Sequence, residues 1–130
     1  MKDNTLIIHI EKPAEEIFAF TINPKNTPLW IEEIVVEETS EWPVKIGSIY
    51  RHQKKNGEWS EYEVIKLKEN AMFVFRKNDK NYHVWYSFKP INEQTTKLIY
   101  YEWMDQGQLT VPFAYEALEK LKHLVENKNP

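Results

Sequence analysis

The chain has 130 residues, enough for one hydrophobic core and too few for two. It contains no cysteine, which excludes a disulfide framework and a thiolate metal site, and its net charge of −3 argues against nucleic acid as a partner. Aromatic residues make up 14%, including five Trp and seven Tyr, so rings must either fill a core or line a cavity.

Met1 to Ile10 has no apolar run long enough for a signal peptide or a membrane span, so a cytoplasmic protein without membrane insertion is expected. Thr5 to Ile10 reads as a first strand. Lys12-Pro13 stops it, because proline removes a ladder donor and presets a helix start. Ala14, Ile17, Phe18 and Thr21 then give a short helix one apolar face, ended by Asn23-Pro24, and Thr27-Pro28 caps a second short helix through Leu29, Trp30 and Ile31. Ile34 to Glu38 reads as a strand, and Thr39 to Gly47 as a loop crossing to the main sheet.

The turns set the register of that sheet. Read as a two-residue hairpin, Asn56-Gly57 places Lys55 opposite Glu58, Arg51 opposite Tyr62 and Ile49 opposite Val64. A two-residue turn at Glu69-Asn70 sets Val64 against Phe75 and Lys66 against Phe73. Four residues at Asn78 to Asn81 set Phe75 by Val84 and Phe73 by Tyr86, and a turn around Asn92 sets Tyr86 by Leu98 and Tyr82 by Glu102. Alternation then collects Ile49, Arg51, Tyr62, Val64, Phe73, Phe75, Tyr82, Val84, Tyr86, Phe88, Leu98, Tyr100 and Glu102 on a concave face. Tyr50, His52, Trp59, Glu61, Glu63, Ile65, Val74, Arg76, Trp85, Ile99, Tyr101 and Trp103 fall on the other, and a one-residue slip would exchange the two sets. From Thr110 to Asn127 the spacing predicts a long amphipathic helix whose apolar stripe, Phe113, Ala114, Ala117, Leu118, Leu121, Leu124 and Val125, must lie on that sheet. The class is therefore α+β, with a curved antiparallel sheet of about seven strands, two short helices after the first, and a long C-terminal helix across the concave face.

The run Lys12-Pro13-Ala-Glu-Glu-Ile-Phe18, followed by Asn23-Pro24 and Pro28-Leu-Trp30, resembles the opening of the SRPBCC superfamily, the helix-grip or START-like fold, and especially its polyketide cyclase/dehydrase-like branch. Val44-Lys-Ile-Gly47, Glu63-Val64, Met72-Phe-Val-Phe75, Thr96-Lys-Leu98 and Leu118 to Glu126 agree, so the resemblance covers nearly all of a single domain at 1–130. It implies a cavity between the sheet and the C-terminal helix for a small hydrophobic or amphipathic molecule. In some members that molecule is cyclised or dehydrated; in a chaperone-activator branch the domain contacts proteins.

Candidate cavity residues are Arg51, Tyr62, Phe73, Phe75, Tyr82, Tyr86, Tyr100, Glu102, Phe113, Ala117 and Leu121. The tyrosines would be polar tips on apolar walls, or else core residues with hydroxyls at the rim. Of seventeen lysines and arginines only Arg51 and Arg76 are arginine; Arg51 would anchor a ligand's acidic group, or stack as a cation on Tyr62. Arg76 opposite Glu63 reads as a surface ion pair. Glu102 is either a buried carboxylate of raised pKa able to act as an acid or base, or a solvated rim residue, since its strand ends near Gly107. His9, His52, His83 and His123 have no ligand spacing, so no metal is assigned; no cofactor motif appears, the chain having three glycines and no G-x-S-x-G. Trp85, Ile99, Tyr101 and Trp103 on the outer face would serve a protein partner or a homodimer.

Overall fold

The computed structural model describes residues 2–127; of the expected domain, Met1 and residues 128–130 lie outside them. In chain order the elements are β1 (Asp3–Ile10), α1 (Ala14–Ile22), α2 (Thr27–Trp30), β2 (Ile34–Thr39), β3 (Ile49–Lys54), β4 (Trp59–Lys68), β5 (Met72–Lys77), β6 (Tyr82–Asn92), β7 (Thr95–Met104) and α3 (Tyr115–Glu126). The seven strands form one antiparallel sheet ordered β1-β7-β6-β5-β4-β3-β2, so the N-terminal strand closes one edge beside the last strand. Its concave face carries the core, in which Phe18 meets Phe73 and Phe88 edge-on beneath α1. Leu118, Leu121 and Val125 of α3 complete that core.

The last helix is shorter than its apolar stripe. Phe113 and Ala114 are not helical, and Ala114 is extended at φ −86 and ψ 134. Proline at 112 biases Val111 away from helical backbone, and the Phe113 N–H is given to Glu102 at 2.6 Å instead of to a helical turn. α3 packs against β1, α1 and α2.

Three turns or bulges change the expected register. At Lys54 to Gly57 the Gly57 N–H bonds the Lys54 carbonyl and the Lys54 N–H bonds the Glu58 carbonyl. Gly57 has φ +89, whereas Asn56 is not in the left-handed region. The loop is therefore three residues, a turn closed by one left-handed glycine, rather than the two-residue turn that needs positive φ at both positions. One added residue slips β3 by one: Tyr50 faces Tyr62 and Arg51 faces Glu61. Tyr50 and His52 thus point inward and are buried, while Ile49 and Arg51 point out.

The second change corrects itself. The Lys68 to Ala71 turn, with Asn70 at φ +63, sets Lys68 against Met72 and Leu67 against Phe73, and a bulge between Val64 and Lys66 restores Val64 opposite Phe75. Lys66 therefore faces Val74 rather than Phe73, and reaches over the Trp85 ring on the outer side. The third shift is even-numbered and harmless to the faces: Tyr86 pairs Tyr100 and Tyr82 pairs Met104 because a bulge between Pro90 and Asn92 precedes the final turn. The expected pairing of Phe73 with Tyr86 and Phe75 with Val84 is present.

Candidate functional site

A cavity of about 200 Å³ opens between the concave face and the α2 side of the molecule. Its apolar wall is Trp30, Ile34, Phe75, Tyr86, Tyr100 and Phe113. The rings lock one another: Trp30 stands edge-on to Tyr86 at 6.3 Å and to Phe113 at 6.1 Å, and Phe113 stacks on Tyr100 at 4.3 Å. Trp30 and Ile34 are there because the short α2 helix and the start of β2 bring them over the sheet.

The polar end is built by strand irregularities. Between Ile34 and Val36 the β2–β3 ladder has a bulge at Val35. Strict alternation would put Ile34 and Glu37 on opposite faces; the extra residue puts both on the inner one, with Glu37 directly across from His52. His52 Nδ1 lies 3.4 Å from Glu37 Oε2, both side chains being about nine-tenths buried, and the Thr27 hydroxyl donates to Glu37 Oε1 at 2.6 Å. The His52 ring stacks on Tyr62 at 5.3 Å. Beside them, Tyr50 donates to the Ile22 carbonyl at 2.5 Å, tying β3 to the end of α1.

Glu102 forms a second buried acidic centre, 1% exposed. Tyr82 donates to Oε1 at 2.5 Å, while Asn4 Nδ2 at 2.9 Å and the Phe113 N–H at 2.6 Å share Oε2. The Tyr100 hydroxyl in turn donates to that of Tyr82. This carboxylate thus joins β1, β7, β6 and the segment before α3; of the two positions expected for Glu102 it takes the buried one and not the solvated rim.

Burial, reinforced by the charge of Glu37, pushes Tyr50 and Tyr86 above the ordinary phenol value, and burial with Asp79 and then Glu37 does so for Tyr62; burial and Glu102 do the same to Tyr82, and burial with the neighbouring Tyr82 to Tyr100. At neutral pH these phenols are hydrogen-bond donors and not bases or nucleophiles. Neither the Tyr62 nor the Tyr86 hydroxyl has a hydrogen-bond partner among the described residues, although Tyr86 is only 5% exposed.

Comparison of the fold with solved structures is decisive. A START superfamily protein from Mycobacterium smegmatis superposes with a TM-score of 0.71 at 18% identity, covering 97% of this chain and 95% of that one. This chain has the START-like, helix-grip fold. The protein XoxI from Bacillus cereus is similar at TM-score 0.77 and 11% identity, over 98% and 97% of the two chains. An Aha1 dimer from Colwellia psychrerythraea is similar at TM-score 0.70 and 17% identity, over 98% of each chain. No family model matches the sequence, and no curated protein does.

Within this START-like frame, Tyr62, Phe75, Tyr82, Tyr86, Tyr100 and Phe113 line the cavity. Five other candidates do not. Arg51 lies on the outer face, 3.3 Å from Glu38 and 4.2 Å over the Trp59 ring, because of the one-residue slip; it is neither an inward anchor nor stacked on Tyr62. Phe73 is packed in the core beneath Phe18, and Glu102 is consumed by its three donors. Ala117 and Leu121 pack in the core, and α3 supplies no wall residue, so α2 and Phe113, rather than the C-terminal helix, cover the cavity. Arg76 does pair with Glu63, at 3.5 Å.

The residues missed from the sequence are Glu37, His52, Thr27, Tyr50 and Trp30. Gly57 was the available signal for Tyr50 and His52, since a lone glycine also satisfies the three-residue loop. Nothing in Ile34-Val-Val-Glu37 announces the bulge that turns Glu37 inward. Among the described residues no group of His, Asp or Glu is arranged to hold a metal, and no helix is long and apolar enough to cross a membrane.

Proposed function

We propose that the cavity binds a small hydrophobic or amphipathic molecule. The observation that carries this reading is the pair of unpartnered hydroxyls, Tyr62 and Tyr86, within an aromatic cavity of about 200 Å³. These hydroxyls make no bond to the protein, and Trp30 Nε1 in the same wall is buried without a partner, so a ligand oxygen or nitrogen among those rings would supply what the protein does not. Native mass spectrometry before and after denaturing extraction, with titration of a naphthalene-based fluorescent probe, tests it. A bound small molecule or saturable probe binding, abolished by Val84→Trp in the wall, is expected; a protein that takes up no probe sinks the reading.

Catalysis of the cyclase or dehydratase type would need two titratable groups meeting around one substrate, and Glu37 with His52 is the pair whose geometry suits that role. The binding reading requires no turnover.

The outer face supports a second reading, self-association. Its register places Lys66, Lys68, Lys89 and Lys97 toward one end, and Asp3, Glu61, Glu63 and Asp105, together with the ion-paired Arg51 and Arg76, toward the other. An aromatic row reaches into the acidic end, where Tyr101 stacks on Trp103 at 5.2 Å and Trp103 on His83 at 4.5 Å, and Ile7 nearer the middle is 45% exposed. A two-fold axis perpendicular to the strands would lay each lysine end over the acidic end of a second copy. The Colwellia psychrerythraea neighbour is described as a dimer. Sedimentation should find a dimer weakened by salt and by Trp103→Glu; a monomer at every concentration would remove this reading.

A further inference from the structure

The polar end of the cavity has the wrong charge for an acid. Two carboxylates line the cavity, the exposed Glu33 and the largely buried Glu37; Glu37 retains open lone pairs, since Thr27 and His52 occupy one direction on each oxygen. Among the described residues no lysine or arginine forms an ion pair with it. Arg51, the expected anion anchor, is on the opposite face of the sheet, and the wall's only lysine, Lys54, sits at the end of β3 on the side of the exposed Glu33. A second carboxylate, Glu102, stands behind Tyr82. Both charges act on the Tyr62 and Tyr86 hydroxyls, so the negative field extends across the cavity.

The remaining walls add to the same preference. Trp30, Tyr62, Phe75 and Tyr86 present ring faces and edges around a desolvated space, and ring faces attract cations while the low dielectric strengthens every charge interaction. We propose that this cavity recognises a small aromatic ammonium compound, its cationic nitrogen on Glu37 and its ring among Trp30, Tyr86 and Phe113, and that it excludes the matching carboxylate. This rests on the binding reading given above and specifies the charge of its ligand. The ammonium donates to the open lone pairs of Glu37 and meets the Tyr62 hydroxyl oxygen, while a carboxylate in that place would be buried beside a like charge, with Lys54 at the end of β3 the one lysine in the wall.

The test is calorimetric titration of the full chain at neutral pH with three probes of equal size: 2-naphthylmethylamine, 2-naphthylmethanol and 2-naphthoate. The amine should bind tightest, by about tenfold or more over the carboxylate, with the alcohol between them. Glu37→Gln should bring amine and alcohol to equal affinity while the alcohol keeps its own, which a fold defect would not do. A carboxylate that binds as tightly as the amine to the unmodified protein overturns the charge assignment and leaves the cavity reading standing. Failure of all three probes to bind overturns both. An amine preference that survives Glu37→Gln in a variant with an unchanged thermal transition also overturns the assignment.

Discussion

Glu37 and His52 face each other across β2 and β3, 3.4 Å apart, and each owes its inward side to a one-residue count, in β2 itself for the glutamate and in the β3–β4 loop for the histidine. A bulge at Val35 turns the glutamate inward, and the three-residue loop closed by Gly57 turns the histidine inward. The polar end of the site is therefore the product of one inserted residue in β2 and one in the β3–β4 loop.

Gly57 supports this arrangement by backbone conformation alone. Its φ is +89, and no atom lies within 4 Å of where a Cβ would stand. Gly57→Ala should therefore cost about 1 kcal/mol through strain without a clash, read as a lower urea midpoint at unchanged slope. A loss near zero would show that the loop tolerates another turn type.

Glu102 holds the segment before α3. Glu102→Ala leaves the Tyr82 hydroxyl, the Asn4 amide and the Phe113 N–H without their acceptor in a buried place, and should cost about 3–5 kcal/mol. Hydrogen exchange should rise first at Phe113, before the strands lose protection. If Phe113 exchanges no faster in a folded variant, the carboxylate does not anchor this segment.

The buried phenols set an alkaline limit. Their folded-state values lie above the ordinary value of about 10, so the folded chain retains protons that the unfolded chain has lost above that pH. Their stabilisation is complete below pH about 10 and declines as pH rises through the interval above it. Absorbance of tyrosinate should accordingly appear together with loss of the near-ultraviolet circular dichroism signal; ionisation of the whole set in a still-folded protein would contradict this.

Arg51 should matter little. Its side chain is 44% exposed and its partner Glu38 54%, an ion pair screened by water. Arg51→Ala should change stability by about 0–1 kcal/mol and leave probe affinity untouched. A large loss of binding would place Arg51 at the ligand after all.

The order of elements, the antiparallel sheet, the closing helix and the inward alternation of Phe73, Phe75, Tyr82, Tyr86 and Tyr100 were all legible in the sequence. Period-two patterning is written residue by residue along a strand, and an even register error, as between β6 and β7, leaves every side chain on its own face. Tertiary structure decided what odd insertions decide. The bulge at Val35 carries no composition signal and Gly57 suits a two-residue and a three-residue loop alike, yet these two features exchange Arg51 for His52 and bring in Glu37. The extended run at Phe113, held by a carboxylate eleven residues earlier, likewise moves the cavity's cover from α3 to α2. Local periodicity specifies which faces are apolar; the charge at the end of the pocket depends on a one-residue count that only packing of the whole sheet settles.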